Sequence, residues 1–156
     1  MSQGCKILVM GLPGSGKTWL ASRLARRFSI PFWDADVVRE IYNDWDFSVT
    51  GRALQTERMR ELAEIDPISI SAYVCPLPAL RFNFRPDKII WMDTIEKGRY
   101  EDTNELFRPP LKNHDLRVTR WIEEDQLYRC LEGFSLGIED TLSFSDELTR
   151  RLAKCV

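Results

Sequence analysis

A chain of 156 residues, 44% of them hydrophobic, is long enough for one compact domain and too short for two ordinary ones. The formal net charge of −2 gives no general attraction for nucleic acid, and the longest apolar run is far below the roughly 20 residues of a membrane span. Four scattered cysteines and one histidine argue against a zinc site and a disulfide framework. With no signal-peptide pattern at the N-terminus, we expect a cytoplasmic protein, in the host cytoplasm if the source is viral.

Short apolar strands and amphipathic helices alternate along the chain. The predicted strands are residues 6–10, 32–34 or 32–36, 68–74, 88–92 and 116–122. The predicted helices are residues 17–28 and 52–64, a helix with a mobile loop within 94–110, and a final helix that begins near Ser145.

This alternation is typical of a parallel sheet with helices on both faces, joined by right-handed crossovers. We therefore predict a single domain, residues 1–156, of the α/β class, with three layers and about five parallel strands. In such sheets ligands bind at the carboxyl ends of the strands. Functional residues should follow the strands directly.

The segment after the first strand matches the Walker A pattern G-x-x-x-x-G-K-[ST] at every fixed position. It consists of Gly11, Leu12, Pro13, Gly14, Ser15, Gly16, Lys17 and Thr18. Glycines allow backbone N–H groups to surround phosphate oxygens, and the start of the next helix adds its dipole. Lys17 is expected to contact the transferring phosphate and Thr18 to bind magnesium. The α/β domain is therefore predicted to have the three-layer P-loop NTPase fold. The cofactors are predicted to be ATP and Mg²⁺.

The residues after the next two strands favour a small-molecule kinase over a GTPase or a motor ATPase. The strand at 68–74 lacks a terminal Asp and no Asp-x-x-Gly follows it. Asp34 and Asp36 instead provide carboxylates after the second strand. One acid would accept a hydroxyl proton and the other would help to hold magnesium, and the sequence leaves open which is the base. With Lys17 they are the predicted catalytic residues, and Thr18 and Asp36 are the predicted metal ligands.

The motifs GLPGSGKT, DADVVR, DFSVTGRALQTERM and ISAYVCPLPALR resemble, in order, those of adenylylsulfate (APS) kinases, over roughly residues 5–94. The resemblance places Asp34 and Asp36 on the two acids of that family. It also implies a set of acceptor-binding residues: Arg39, Phe47, Arg52, Gln55 and Arg58. Gln55 stands where the family has Asn, and Cys75 where it has Ser.

The resemblance to APS kinases ends after residue 94, where their lid and adenine-closing segment are replaced by another sequence. We expect residues 94–110 to form a lid, with Arg99 or Arg108 reaching the transferring phosphate. The whole pattern is similar to a compact phage-type branch that includes kinases of 5-hydroxymethyluracil in DNA, which act in thymidine hypermodification.

Two acceptors follow from this resemblance: the hydroxymethyl group of 5-hydroxymethyluracil in phage DNA, which is preferred, and APS. A DNA acceptor would need a local basic rim with stacking aromatic residues. The predicted rim consists of Arg81, Arg85, Arg117, Arg120, Phe82, Phe84 and Trp121. A non-catalytic nucleotide-binding module is the alternative of another class. The sequence leaves open whether the chain forms a homodimer, and no membrane partner is expected.

Overall fold

The structure, a computed structural model, describes residues 4–121. The strands are β1 (Cys5–Met10), β2 (Phe32–Asp34), β3 (Ile68–Ala72), β4 (Lys88–Met92) and β5 (Leu116–Val118). The helices are α1 (Lys17–Phe28), α2 (Ala35–Tyr42), α3 (Val49–Ala63), α4 (Pro78–Phe84) and α5 (Glu101–Leu106). The strands form one five-stranded sheet in the order β2-β3-β1-β4-β5, and all pairs are parallel.

Each face of the sheet carries its own hydrophobic core, because successive side chains of a strand point to opposite faces. Ile7 and Val9 of β1 belong to the cluster that contains α1 residues such as Leu20. Leu8 and Met10 belong to the cluster on the other face, with residues from α2, α3 and α4. The predicted α/β fold, with about five parallel strands and helices on both faces, is confirmed.

Two helices, α2 and α4, were not predicted, and the end of β2, which the sequence left open between Asp34 and Asp36, bears on the site. β2 ends at Asp34 and does not continue to Asp36, because the Asp34 carboxylate accepts the backbone N–H of Asp36 at 2.8 Å and caps α2. The predicted strand at 68–74 ends at Ala72, where β3 gives way to a loop that leads to α4. The final helix predicted near Ser145 lies outside the described residues.

The strand order brings the sequence motifs to one edge of the sheet. β1 lies between β3 and β4, so the loop after β1 is flanked by the carboxyl ends of both neighbours. Asp34 pairs in register with Ala72, the last residue of β3. Among residues 4–121, no helix has the length and apolar character that a membrane crossing requires.

Candidate active site

The loop between β1 and α1 has a backbone that only glycine accommodates without strain. Gly11, Gly14 and Gly16 have φ angles of +152°, +88° and +101°. A Cβ atom on Gly11 would lie 2.5 Å from the carbonyl oxygen of Met92, and one on Gly16 would lie 2.5 Å from the ring of Trp121. Backbone conformation therefore requires glycine at both fixed positions of the Walker A pattern, and at Gly11 close packing against the β4 backbone requires it as well.

Lys17 is the first residue of α1, and its side chain returns to the loop that precedes it. The Lys17 Nζ donates a hydrogen bond to the carbonyl oxygen of Leu12 at 2.9 Å. Burial lowers the pKa of Lys17 to about 8, although the carboxylates of Asp36 and Asp34 act in the opposite direction. The ammonium group is thus poorly solvated, and a bound phosphate would supply the negative charge that it lacks.

Ser15 also fits a polar ligand in the loop. It is fully buried, and its Oγ has no hydrogen-bond partner among residues 4–121. The Oγ of Thr94, just after β4, donates to the Ser15 carbonyl oxygen at 2.7 Å. A buried hydroxyl without a partner is costly. The loop residues therefore fit the phosphates of ATP, which sequence analysis predicted as the cofactor.

Thr18 and Asp34 form the contact at which magnesium is expected. The Thr18 Oγ1 donates to the Asp34 Oδ2 at 2.6 Å, while the Asp34 Oδ1 caps α2. Asp36 lies in the first turn of α2 and is exposed. A hydroxyl and a carboxylate are oxygen donors of the kind that Mg²⁺ prefers. This geometry favours Asp34 over Asp36 beside the metal, while the predicted metal role of Asp36 stays a prediction.

Arg39, predicted to bind the acceptor, is engaged within the protein. It is 3% exposed, and its Nη1 donates to the carbonyl oxygens of Asp44 and Asp46 at 2.9 and 3.1 Å. Its guanidinium carbon lies 4.2 Å from the centre of the Phe47 ring. Arg39 thereby holds the loop between α2 and α3, and this loop presents Phe47.

Arg52 and Arg58, on α3, also have partners in the protein. The Arg52 Nε donates to the Phe47 carbonyl oxygen at 2.9 Å, and its Nη2 lies 3.7 Å from the Asp102 carboxylate on α5. The Arg58 Nη1 donates to the Asp44 carboxylate at 2.8 Å. The structure brings the predicted arginines to one region between α2 and α3, with their guanidinium groups already paired.

Gln55 occupies the space between α3 and the start of α2. It is fully buried, and its Nε2 donates to the carbonyl oxygen of Ala35 at 2.9 Å. Ala35 lies between Asp34 and Asp36 in the sequence. In this arrangement Gln55 supports the turn that carries the two acids, and it does not present its amide to solvent.

The predicted lid, residues 94–110, contacts the phosphate loop directly. A Cβ atom on Gly98 would lie 3.1 Å from the carbonyl oxygen of Pro13. The Gly98 backbone exchanges two hydrogen bonds with the Asn104 side chain, at 2.8 and 3.0 Å, and so closes the loop that precedes α5. The segment is therefore placed beside the loop that it was predicted to cover.

The two lid arginines differ in their surroundings. The Arg108 Nη1 donates to the last carbonyl groups of α5, those of Glu105, Leu106 and Phe107, at 2.8 to 3.3 Å. Arg99 is exposed, with its guanidinium carbon 5.7 Å from the centre of the Tyr100 ring, and is close enough to lower the pKa of Lys17. Of the two, Arg99 is the better placed to reach a phosphate.

The basic rim predicted for a DNA acceptor is not assembled. Phe84 is fully buried in the core, so it cannot stack on a base. Arg81 is buried and its Nε donates to the Cys75 carbonyl oxygen at 3.0 Å. The Arg117 Nε donates to the Asp93 carboxylate at 2.9 Å. Of the predicted rim, Phe84 and Arg81 lie inside the fold, and Arg117 is exposed but paired with Asp93. The remaining members are exposed: Phe82, Arg85, Arg120 and Trp121.

Trp121 lies beside the phosphate loop, where sequence analysis did not place it. Its ring packs against Gly16 and makes an edge contact with Trp19, with 6.5 Å between ring centres. It follows β5, so the rule that ligands bind after strands could have identified it. Thr94 directly follows β4, so the same rule could have identified it.

No established family profile matches the chain. A shikimate kinase from Microcystis aeruginosa is 29% identical over 129 residues, which cover 73% of this chain and 66% of that kinase, just under two thirds of its length. A mutant of the Mycobacterium tuberculosis APS kinase is 25% identical, with a TM-score of 0.61, over 81% of this chain and 92% of that one.

Two further structures share the fold at lower identity. The Mycobacterium tuberculosis APS kinase in complex with AMPPNP and APS has a TM-score of 0.64 at 22% identity, over 81% of this chain and 95% of that one. A gluconokinase from Sinorhizobium meliloti has a TM-score of 0.61 at 15% identity, over 97% and 96% of the two chains. The relatives named are all kinases. The comparisons confirm a P-loop kinase fold similar to that of APS kinases, while the resemblance to kinases of modified DNA stays a prediction.

Proposed function

We propose that this chain is a kinase that transfers the γ-phosphate of ATP to a hydroxyl group. One observation carries the proposal: the Walker A loop places Lys17 and Thr18 beside two carboxylates, and Thr18 is hydrogen bonded to Asp34 at 2.6 Å. A nucleotide-binding module without catalytic activity would not need Asp36, the second acid, exposed next to that contact. The similarity to kinases in both sequence and structure supports the same conclusion.

The loop residues bind and orient the phosphates of ATP. Backbone N–H groups of the glycine-rich turn and the Lys17 ammonium stabilise negative charge on the phosphates. Magnesium would be held near Thr18 and Asp34, and it would neutralise charge that develops on the phosphate oxygens. The lid excludes water, so that the phosphoryl group reaches the acceptor and is not hydrolysed.

Asp36 acts as the general base in this proposal. Its exposed carboxylate accepts the proton of the acceptor hydroxyl while the hydroxyl oxygen forms a bond to the γ-phosphorus. The bond between the γ-phosphorus and the oxygen that bridges it to the β-phosphate breaks, and ADP leaves. Asp34 fixes the position of Asp36 because it caps the helix on which Asp36 lies.

The acceptor that we propose is the hydroxymethyl group of 5-hydroxymethyluracil in DNA, which gives 5-phosphomethyluracil. The sequence pattern after residue 94, which departs from APS kinases, supports this acceptor. APS, which would yield 3′-phosphoadenylylsulfate, is the second candidate, because an APS kinase has the same fold over 81% of this chain.

The test is a transfer assay with γ-labelled ATP and the full chain. DNA with and without 5-hydroxymethyluracil, and APS, are offered in parallel. Label in modified DNA alone supports the proposed acceptor, and label in APS alone supports the second candidate. ATP that stays bound and unconverted with every hydroxyl acceptor, including shikimate and gluconate, would contradict the proposed kinase.

A further inference from the structure

The acceptor side of the site contains arginines whose N–H groups are already engaged by oxygen atoms of the protein. Each of Arg39, Arg52 and Arg58 donates to oxygen atoms of the protein, and the first two are less than 10% exposed. A guanidinium group that recognises a phosphate or sulfate uses its paired N–H groups toward the ligand. Here these groups are directed to the loop between α2 and α3 and to α5.

Arg52 is the arginine with the closest link to the lid. Its Nη2 lies 3.4 Å from the Thr103 hydroxyl and 3.7 Å from the carboxylate of Asp102, both on α5. The Asp102 side chain is 71% exposed, whereas that of Arg52 is 9% exposed. A carboxylate that is open to solvent therefore lies at the edge of a buried guanidinium, where an acceptor anion would otherwise be attracted.

Other exposed groups nearby have the same sign as Asp102. Asp36 and Asp46 are exposed, and hydrogen bonds from Ser48 lower the pKa of Asp46, which keeps it charged at neutral pH. Between the paired arginines, the surface that stays open is the ring of Phe47, 47% exposed. An aromatic ring with a carboxylate border favours an uncharged, planar or apolar group.

We propose that Asp102 is a specificity-determining residue, whose carboxylate screens Arg52 and makes the site select an uncharged acceptor group over an anionic one. This inference rests on the proposed function and names the class of acceptor that it takes. Asp102 does not touch the reacting atoms. It acts through Arg52, and its removal should make that arginine available to an anion.

The test measures the affinity for APS, used as an anionic probe, by calorimetric titration of the full chain saturated with magnesium and AMPPNP. Asp102→Asn should tighten APS binding about two- to fivefold, the range of a partly exposed ion pair. Glu101→Gln removes a charge from the same exposed turn of α5 and should leave APS affinity at the wild-type value. Asp102→Glu, which retains the carboxylate, should restore weak binding.

An Asp102→Asn variant that binds APS no better than Glu101→Gln would overturn the role of Asp102. Both positions are exposed, so neither substitution should prevent folding. AMPPNP binding is measured first in the same samples, because its absence would contradict the proposed kinase and not the specificity role. The APS titrations are repeated without nucleotide, so that Asp102 is tested in either case.

Discussion

The Lys17 ammonium group links ATP binding to pH. Its pKa is lowered to about 8 by burial in the free protein, and bound phosphates would raise it again because they favour the charged form. The charged form predominates below that pKa, so affinity should be constant there. Above it, binding must take up a proton, and affinity should fall by up to about tenfold per pH unit.

The measurement is the affinity for magnesium and AMPPNP, titrated calorimetrically between about pH 6.5 and pH 9.5. Lys17→Met serves as the control, because it should bind more weakly and lose the decline above pH ~8. Nucleotide affinity that stays constant up to pH ~9.5 in the wild-type chain would show that deprotonation of Lys17 does not weaken nucleotide binding.

Asp34 and Asp36 have different proposed roles, so changing each one to an amide should have a different effect on activity. Asp36→Asn should lower kcat by about 10²- to 10⁴-fold, the usual contribution of a general base, and leave AMPPNP affinity nearly unchanged. Asp34→Asn should raise the magnesium concentration needed for activity, because it removes the carboxylate that pairs with the Thr18 hydroxyl at the expected magnesium site. Initial rates over a magnesium series distinguish the two effects.

Glu40→Gln is the matched control for these substitutions, since Glu40 is exposed on the same helix as Asp36. It should leave both kcat and magnesium dependence at wild-type values. If Asp36→Asn behaves like Glu40→Gln, Asp36 is a solvated residue of the helix start and the base lies elsewhere.

At the level of single residues, the sequence was sufficient to predict the backbone of the phosphate loop. It was insufficient to predict the side-chain contacts on the acceptor side. The loop could be predicted because its backbone requires glycine at fixed positions, and Gly11 and Gly16 have the expected positive φ angles. The partners of Arg39 and Arg52 are backbone carbonyl groups and residues of α5. Such pairing depends on how loops fold against helices, and no local pattern specifies it.

The lid is the element whose role depends most on one side chain. Arg99→Met should lower kcat by about 10-fold or more, because an exposed guanidinium near Lys17 can stabilise charge on the transferring phosphate. Arg108→Met should affect kcat much less, since Arg108 already bonds to the carbonyl groups at the end of α5. The comparison uses kcat at saturating ATP and acceptor.

Arg108→Met should instead lower the melting temperature slightly, through the loss of contacts at the helix end. Arg26→Met, which lies outside the lid and is exposed on α1, controls for the loss of a surface charge. A larger fall in kcat for Arg108→Met than for Arg99→Met would assign the phosphate contact to Arg108.

Among the secondary-structure elements, α1 was predicted from its regular apolar spacing, whereas two short helices were missed because they contain residues that are typical of strands or strand ends. α1 has Leu20 and Leu24 on one buried face, and its bounds agree with the prediction. α2 was missed because Val37 and Val38, which favour strands, follow the acids. α4 was missed because it begins with Pro78, shortly after a predicted strand. Proline is typical of a strand end, although it is also common in the first turn of a helix.

At the level of the whole molecule, the parallel sheet explains why distant motifs converge. The strand order places the carboxyl ends of β1, β2 and β4 at one edge, and Lys17, Asp34 and Thr94 lie at or shortly after these ends. Strand order cannot be read from the order of elements in the sequence alone, but the preference for right-handed crossovers restricts it strongly. The fold was therefore predictable, while the surface charge around the acceptor was not.

The proposed DNA acceptor has a consequence for the whole molecule that a small acceptor does not share. A protein that binds DNA through its phosphates displaces counterions, so log(kcat/KM) for modified DNA should fall linearly with log of salt concentration between ~50 and ~200 mM, at about 0.9 per phosphate contacted. With a net charge of −2 and no assembled basic rim among residues 4–121, few contacts and a shallow slope are expected, about −1 to −3.

The assay follows label from γ-labelled ATP into DNA that contains 5-hydroxymethyluracil, with the rate of ATP consumption at each salt concentration as the control for the nucleotide site. A slope of zero for DNA would contradict binding through its phosphates. Transfer to APS and none to DNA would reject the DNA acceptor while leaving the kinase itself intact.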